Sequence, residues 1–324
     1  MDRRDFILFG GVLLASASVH AQSAKPKRVA VLFAGTPEVD ERAAAPFFEQ
    51  LRRLGWIEST NISYEHFYAR GVRNKMPELA TAAVARHPDL IYAPTAFAAV
   101  SATKATSTIP VVFSTVSDPT RIGLADSLAR PGRNATGTFQ IQADLVAKKF
   151  EIMREALPQA KRIAVVLERT GSDYAEQKKR HVDAGRRFAL DVSIADFTSF
   201  DELTKLLAGL KNERVDAVTV GSSFTLIGNR KPFAQLALQA GIPLVAHRIE
   251  WAEAGALITY GADVSDTLRR TAEIAHRILN GARPAETPIE QASKFELVAN
   301  LSAAKNLGVV LPRMLVSRAD RVIE

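Results

Sequence analysis

The sequence predicts an α/β protein made of two lobes of similar plan, each with a mostly parallel sheet. Three observations support this prediction. Short β-rich apolar runs alternate with amphipathic stretches, which is the pattern of parallel strands covered by helices. The same order of runs recurs after about 130 residues, as an internal duplication would produce. The chain has 324 residues, more than the ~250 to 300 residues at which a single hydrophobic core stops growing.

The N-terminal segment has the pattern of an export signal. Arg3 and Arg4 precede an apolar run over residues 6–19, and Val19-His20-Ala21 follows as a cleavage site. The run is shorter than the roughly 20 residues that span a bilayer. We predict a signal peptide over residues 1–21, cleaved near Ala21, with a periplasmic location and a possible twin-arginine route. The alternative is a buried first helix.

Four strands are predicted in the first lobe, over residues 28–34, 61–67, 89–93 and 110–114. Between the first two strands, residues 40–54 carry Phe47, Leu51 and Leu54 on one helical face. This helix stops at Gly55, as expected for a helix ended by a glycine.

The second lobe repeats this order, with strands predicted over residues 162–168, 191–197, 215–220 and 242–247. A tail then adds a strand over 256–260, a helix over 263–279 and a strand over 294–299. We expect the chain to cross between lobes near Gly137, Gly261 and Glu290, with the two glycines as hinges. The first lobe would comprise residues 22–137 and 262–290, and the second 138–261 and 291–324. This organisation predicts a ligand cleft.

Ligands of open α/β sheets bind outside the carboxyl ends of the strands, so the residues after each predicted strand are candidate contacts. Hydroxyls and free N–H groups at helix starts suit a carboxylate, Asp118 suits an ammonium group, and Phe97 and Phe224 suit apolar walls. The alternative for each Ser, Thr or Asp is helix capping, and for His247 a structural hydrogen bond. The candidates are Gly35, Thr36, Thr95, Ala96, Phe97, Ser114, Thr115, Asp118, Glu168, Ser222, Ser223, Phe224 and His247.

Composition and motifs argue against several other functions. The chain contains no Cys, which excludes disulfides, thiolate chemistry and an anchor attached through Cys. The net charge of +7 comes mainly from basic doublets interleaved with acids, which is typical of solvated helix faces and not of a nucleic-acid stripe. Ser101-Ala-Thr-Lys104 matches S-x-x-K, but the Lys-Thr-Gly element of that enzyme class is absent. We expect no catalysis, cofactor, metal or nucleic acid partner.

Several ordered segments resemble a known family. They include Tyr260-Gly-Ala-Asp263, Arg277-Ile-Leu-Asn-Gly-Ala-Arg-Pro284, Lys294-Phe-Glu-Leu-Val-Ala-Asn300, Ala304-Lys-Asn-Leu-Gly308, Thr108-Ile-Pro-Val-Val-Phe113 and Leu128-Ala-Arg-Pro-Gly-Arg-Asn134. Their combination resembles the ABC-transporter substrate-binding proteins, which include tryptophan- and tyrosine-binding lipoproteins. The resemblance implies a type I periplasmic binding fold, two Rossmann-like lobes joined by three hinge crossovers. It also implies a small ligand delivered to an ABC permease in the inner membrane.

The sequence departs from the family pattern at two positions expected to line the cleft. Pro94-Thr95-Ala96-Phe97 stands where many members have a Gly-rich turn containing Thr, and Glu168-Arg169 stands where Asn-Pro is common. These changes alter which ligand charge the cleft tolerates. We therefore expect a monomeric, unanchored solute-binding protein for an amino acid or an aromatic or carboxylate compound. The alternatives are a periplasmic sensor that signals to a membrane receptor and, more distantly, an exported α/β enzyme.

Overall fold

The computed structural model describes residues 25–140, 142–171 and 173–324, and the predicted signal peptide over residues 1–21 lies outside these ranges. The strands are β1 Lys27–Phe33, β2 Ile62–Tyr68, β3 Leu90–Ala93, β4 Val111–Val116, β5 Ala135–Phe139, β6 Arg162–Glu168, β7 Asp191–Phe197, β8 Ala217–Val220, β9 Leu244–Ala246, β10 Ile258–Ala262, β11 Glu290–Gln291, β12 Phe295–Asn300 and β13 Arg321–Ile323. The helices are α1 Pro37–Arg53, α2 Met76–Ala85, α3 Ala96–Ala105, α4 Gln142–Ala156, α5 Tyr174–Arg187, α6 Phe200–Asn212, α7 Phe224–Gly228, α8 Arg230–Gln239, α9 Ile249–Ala254, α10 Val264–Leu279, α11 Leu301–Leu307 and α12 Arg313–Arg318.

These strands form two sheets with the same internal order. The first sheet runs β11-β5-β4-β3-β1-β2 and is parallel throughout. The second runs β13-β12-β10-β9-β8-β6-β7, with β12 antiparallel to β10 and the other pairs parallel. Strands β1 to β5 and β6 to β10 occupy equivalent places. The predicted fold of two parallel-sheet lobes is therefore confirmed.

The chain passes between the two sheets three times, after β5 into α4, after β10 into α10 and after β11 into β12. The helix α10 thereby returns to the first sheet and packs beside α1. Asp263 caps its start by accepting a hydrogen bond from Asp266 N–H at 2.9 Å. These passages bring the carboxyl ends of both sets of parallel strands to the crossovers, which is where this fold class places its ligands.

Local sequence explains the start of α1, which begins at Pro37 and not at residue 40 as predicted. Thr36 lies in extended conformation as the N-cap residue, and proline is well suited to the first helical position because its fixed φ matches the helix. Phe47 and Leu51 are fully buried between the sheet and α10, as the pattern predicts. Leu54 is the C-cap residue and is only partly buried.

Three short strands, β5, β11 and β13, were not predicted as strands. β11 and β13 are only two and three residues long, too short to show an alternating pattern. β5 contains Gly137, and glycine interrupts a strand pattern. Within the described ranges, no helix combines the length and the apolar character needed to cross a membrane.

Candidate functional site

The first-lobe side of the candidate site begins after β1. Gly35 and Thr36 are partly exposed there. Gly35 N–H donates to the carboxylate of Asp40 at 2.5 Å, and the Thr36 carbonyl accepts the first backbone hydrogen bonds of α1. A side chain at Gly35 would meet the Asp40 carboxylate, so this glycine permits the close contact.

Asp40 is a residue that the sequence analysis did not select. Partial burial raises the pKa of its carboxyl, and the hydrogen bond from Gly35 N–H offsets only part of that effect. No basic side chain in the described part of the chain forms an ion pair with it. No clear signal in the sequence marks Asp40, because an acidic residue in the first turn of a helix is ordinary.

Thr95 caps a helix, which was the alternative to a ligand contact. It is the N-cap of α3, and its hydroxyl accepts a hydrogen bond from Ala98 N–H at 3.2 Å. Ala96 and Phe97 follow it and pack partly against the core of the first lobe. These three residues lie together at the end of β3, and a contact with ligand stays a prediction for each of them.

Ser114 lies inside the first lobe, because strand alternation turns its side chain towards the core. It is fully buried, and its hydroxyl lies 3.2 Å from Tyr92 Oη and donates to the Pro94 carbonyl at 3.4 Å. The hydroxyl is therefore already engaged within the first lobe, and its predicted ligand contact stays a prediction. The side chain of Thr115 lies outside those that the structure describes, so its ligand contact stays a prediction.

Asp118 is held by its own loop. Its carboxylate accepts hydrogen bonds from the Thr120 hydroxyl at 2.9 Å and from Arg121 N–H at 3.0 Å. Partial burial raises the pKa of this carboxyl, but those hydrogen bonds and the Arg121 guanidinium outweigh it, so the pKa is lowered overall. Asp118 remains partly exposed. Residues 119–123 form a turn and no helix, so the helix-capping alternative is wrong for Asp118. Its carboxylate holds this turn, and an ammonium group would compete there with Arg121.

In the second lobe, two of the predicted site residues contact each other directly. Glu168, at the end of β6, accepts a hydrogen bond from the Ser223 hydroxyl at 2.5 Å, and from the hydroxyls of Thr225 at 3.2 Å and Thr170 at 3.1 Å. Ser223 also caps α7 by accepting from Leu226 N–H. The carboxylate is therefore surrounded by hydroxyl donors.

Ser222, the next predicted contact, is exposed and held through its backbone. Its N–H donates to Gln177 Oε1 at 2.7 Å, and Gln177 Nε2 donates back to its carbonyl at 3.0 Å. Gln177 is buried on α5, and nothing in its sequence neighbourhood indicated this role. Phe224 begins α7, but its side chain lies outside those that the structure describes.

His247 follows β9, is partly exposed, and lies near two buried bases, His181 and Lys149. Burial lowers its pKa well below the usual value, and the nearby charges of Lys149 and Arg248 lower it further. His181 is buried on α5, where burial first and Lys149 second lower its pKa to about 3. Lys149 on α4 is 3% exposed, and its Nζ donates to the Val220 carbonyl at 3.1 Å. Lys148 and Lys149 form one of the basic doublets predicted to lie on solvated helix faces, and that prediction is wrong for Lys149.

The two predicted hinge glycines lie inside strands. A Cβ at Gly137 in β5 would overlap the Phe113 carbonyl of β4, and a Cβ at Gly261 in β10 would overlap the His247 carbonyl. Close approach of neighbouring backbones therefore explains why both positions are glycine. The strands continue to Phe139 and Ala262 before the chain crosses, and hinge motion at these glycines stays a prediction.

The chemistry available at this site is recognition by hydrogen bonds and charge. Among the residues that the structure describes, no group of three or more His, Asp or Glu side chains is arranged to hold a metal ion. The strand ends instead carry hydroxyls, backbone donors, the acid Asp40 and the base Lys149.

Comparison with known proteins agrees with this arrangement. The family model described as "ABC transporter substrate binding protein" matches residues 31–323. A "Tyrosine-binding protein" of Clostridioides difficile is 25% identical over 274 residues, which cover 84% of this chain and 77% of that protein. A crystal structure from Streptococcus pneumoniae, described as an ABC domain in complex with L-Trp, has a TM-score of 0.83 at 22% identity and covers 92% of this chain and 100% of its own. A conserved domain protein of Vibrio cholerae has a TM-score of 0.84 at 24% identity, with the same coverage.

Proposed function

This chain belongs to the ABC transporter substrate-binding protein family, and from that premise we propose that it is the periplasmic solute-binding component of an ABC importer. It captures a small organic ligand between its lobes and presents it to a permease in the inner membrane. Catalysis is not part of this role. The observation that carries the proposal is the meeting of polar strand ends from both sheets at three crossovers.

The proposed mechanism is closure of the two lobes on the ligand. Contacts from both lobes exist only in the closed state, so a ligand that makes them shifts the population towards closure. The closed form then distinguishes a loaded protein from an empty one for the permease. Glu168 and the backbone around Ser222 are fixed by hydrogen bonds before any ligand arrives, which reduces the ordering cost of binding.

An aromatic amino acid is the first ligand class to test. The relative named as a tyrosine-binding protein and the pneumococcal complex with L-Trp support this choice. Asp40 supports a ligand amino group in the first lobe, because its carboxylate has a backbone donor but no basic partner among the described residues. Asp118, in contrast, already has Arg121.

We expect a thermal-shift screen to identify the ligand. Protein purified from the periplasmic fraction would be screened against the amino acids and a set of aromatic carboxylates, with native mass spectrometry to weigh the complex and to read cleavage near Ala21. A true ligand at a hundredfold excess over its dissociation constant stabilises the folded protein by about 2.7 kcal/mol. The matched control is the enantiomer of each hit. Absence of a shift or a complex across the whole panel would contradict the proposed ligand class.

A further inference from the structure

Basic side chains at the carboxyl end of the second sheet differ in whether they have an acidic partner. Arg169 and Arg248 each form an ion pair with a carboxylate at 2.5 Å. Lys149 has no carboxylate within ion-pair distance in the described part of the chain, although it is only 3% exposed. Its single hydrogen bond goes to the Val220 carbonyl at 3.1 Å. An ammonium group has three donors, so two of them remain for another partner.

Burial without a counter-charge has a direct consequence for Lys149. Removal from water disfavours the charged form of a side chain. Burial accordingly lowers the pKa of Lys149 to about 7. An anion placed beside Nζ would restore the preference for the charged form, since the opposite charge offsets the loss of water.

The ammonium group of Lys149 lies beside the carboxyl end of β8. Its Nζ bonds to the last residue of β8, and the exposed Ser222 follows two positions later. His247, directly after β9, is partly exposed, and the Lys149 charge lowers its pKa. A ligand group entering beside these two residues would therefore approach the ammonium.

A second polar group is left without a partner in the same region. His181 is 2% exposed, and its Nδ1 lies 2.7 Å from the Gln177 carbonyl, so Nδ1 carries the proton. Its Nε2 is then a buried acceptor that has no hydrogen-bond partner among the described residues. Lys149 also lowers the His181 pKa, which places the two groups within electrostatic reach. Two incompletely satisfied polar groups thus lie together behind the strand end.

We propose that Lys149 is the anion anchor of the second lobe, and that its ammonium group pairs with a carboxylate of the ligand when the lobes close. This inference rests on the proposed solute-binding function. It moves the carboxylate contact from the hydroxyls and N–H groups at helix starts, where the sequence predicted it, to a buried lysine of the second lobe. His247 lines the approach, and Arg169 and Arg248 keep their own partners.

Ligand binding at Lys149 is linked to proton uptake. The titratable or charged groups near Lys149 are His181 and Arg180 on α5 and His247 and Arg248 after β9, together with Tyr260 on β10, which packs against α4. Both histidines have lowered pKa values and stay neutral at pH 7 and above. Below pH 7 free Lys149 is charged and binds a carboxylate directly. Above pH 7 it must first take up a proton, so affinity falls by up to tenfold per pH unit.

The test uses formate, the smallest carboxylate, and therefore does not depend on the identity of the natural ligand. Thermal shifts are measured at constant ionic strength, with chloride replaced stepwise by formate, for the wild type, Lys149→Met and Lys148→Met. Lys148 is the adjacent exposed lysine on the same helix. We expect formate to stabilise the wild type and Lys148→Met and to have no effect on Lys149→Met beyond that of chloride. Equal stabilisation of all three proteins overturns the anchor.

The wild type alone gives a second measurement, which stands even if Lys149→Met does not fold. We expect the formate affinity to fall at least fivefold between pH 7 and pH 8.5, and calorimetry in buffers of different ionisation enthalpy to show proton uptake at pH 8. A flat affinity without proton uptake overturns the anchor. If formate stabilises the wild type but the thermal-shift screen finds no amino acid or aromatic ligand, only the proposed ligand class is contradicted. Equal affinity of wild type and Lys149→Met for a ligand found in the screen contradicts only the anchor.

Discussion

Equivalent faces of the two lobes bury different chemistry. In the first lobe, α1 and α10 cover an aromatic cluster in which the Phe47 and Tyr92 rings stack 3.8 Å apart. In the second lobe, α4 and α5 cover the corresponding face, and there Lys149 and His181 are buried near the strand ends with Thr219 in the sheet. The five equivalent strands, β1 to β5 and β6 to β10, have the same order in both lobes, so the difference on these faces lies in the side chains.

This difference indicates that the side chains at the strand ends stabilise the first lobe and destabilise the second. Stacked and edge-to-face aromatic rings bury a large apolar area and hold one arrangement. A buried amine without a counter-charge and a buried imidazole acceptor without a donor destabilise the folded state. Destabilising groups of this kind are common at functional sites. We therefore expect the first lobe to be the rigid partner in closure and the second to gain stability from the ligand.

The largest expected effect comes from removing the aromatic cluster. Phe47→Ala deletes a fully buried ring that stacks on Tyr92, and a Phe→Ala change in a core costs about 3 to 5 kcal/mol. Urea unfolding would measure the loss of the free energy of unfolding. Phe48→Ala is the matched control, because Phe48 is adjacent but only partly buried, and it should cost clearly less. Because Phe48 also contacts Phe47 and Tyr92, equal losses would mean that the complete burial of Phe47 adds nothing to what a ring of this cluster contributes.

The sequence predicted the lobes well because strands and helices leave periodic patterns. The bounds of β6 and β7 agree with the prediction at both ends, since β-rich runs there are bounded by polar residues. The site was harder to predict. Lys148 and Lys149 form one doublet in the sequence, yet Lys148 is exposed and Lys149 is buried, because consecutive helical positions are about 100° apart.

The position of a residue after a predicted strand also does not show whether its hydroxyl faces the cleft or the core. Ser114 ends the predicted strand over residues 110–114, but β4 continues to Val116 and Ser114 turns into the core. Ser223 follows β8 and reaches Glu168. Side-chain alternation decides this, and the end of a strand cannot be predicted to the single residue that alternation requires. Asp40 and Gln177 act from neighbouring helices, and their partners become visible only when the helices are placed on the sheets.

The second prediction concerns the cost of burying Lys149. Its pKa falls from 10.5 to about 7 on folding. Below pH 7 both states hold the proton, and the folded state bears the full cost of the buried charge. Between pH 7 and 10.5 the unfolded chain holds a proton that the folded chain has released, so stability rises with pH, by at most about 1.4 kcal/mol per unit. Lys149→Met removes this dependence.

Urea unfolding at pH 7 and pH 8.5 would measure this contribution without ligand. We expect Lys149→Met to be more stable than the wild type at pH 7, and the difference to shrink by about 1 to 2 kcal/mol at pH 8.5. The control is Lys148→Met, which loses only an exposed ion pair with Glu151 and should change stability by less than about 0.5 kcal/mol at both pH values. A pH-independent difference for Lys149→Met would show that the lysine stays charged in the folded protein.

The smallest expected effect compares one helix cap in each lobe. Ser223 caps α7 and also donates to Glu168, whereas Thr95 caps α3 through a single hydrogen bond. Losing an N-cap costs about 1 kcal/mol, and Ser223→Ala additionally removes one donor from a carboxylate, for a total of about 1.5 to 2 kcal/mol. Thr95→Ala should therefore cost less than Ser223→Ala in urea unfolding, and Ser222→Ala, which removes an exposed hydroxyl, should stay within about 0.5 kcal/mol of the wild type. If Ser223→Ala costs no more than Thr95→Ala, the hydroxyls around Glu168 add nothing to the stability of the second lobe, and that carboxylate is instead free to exchange its partners for a ligand.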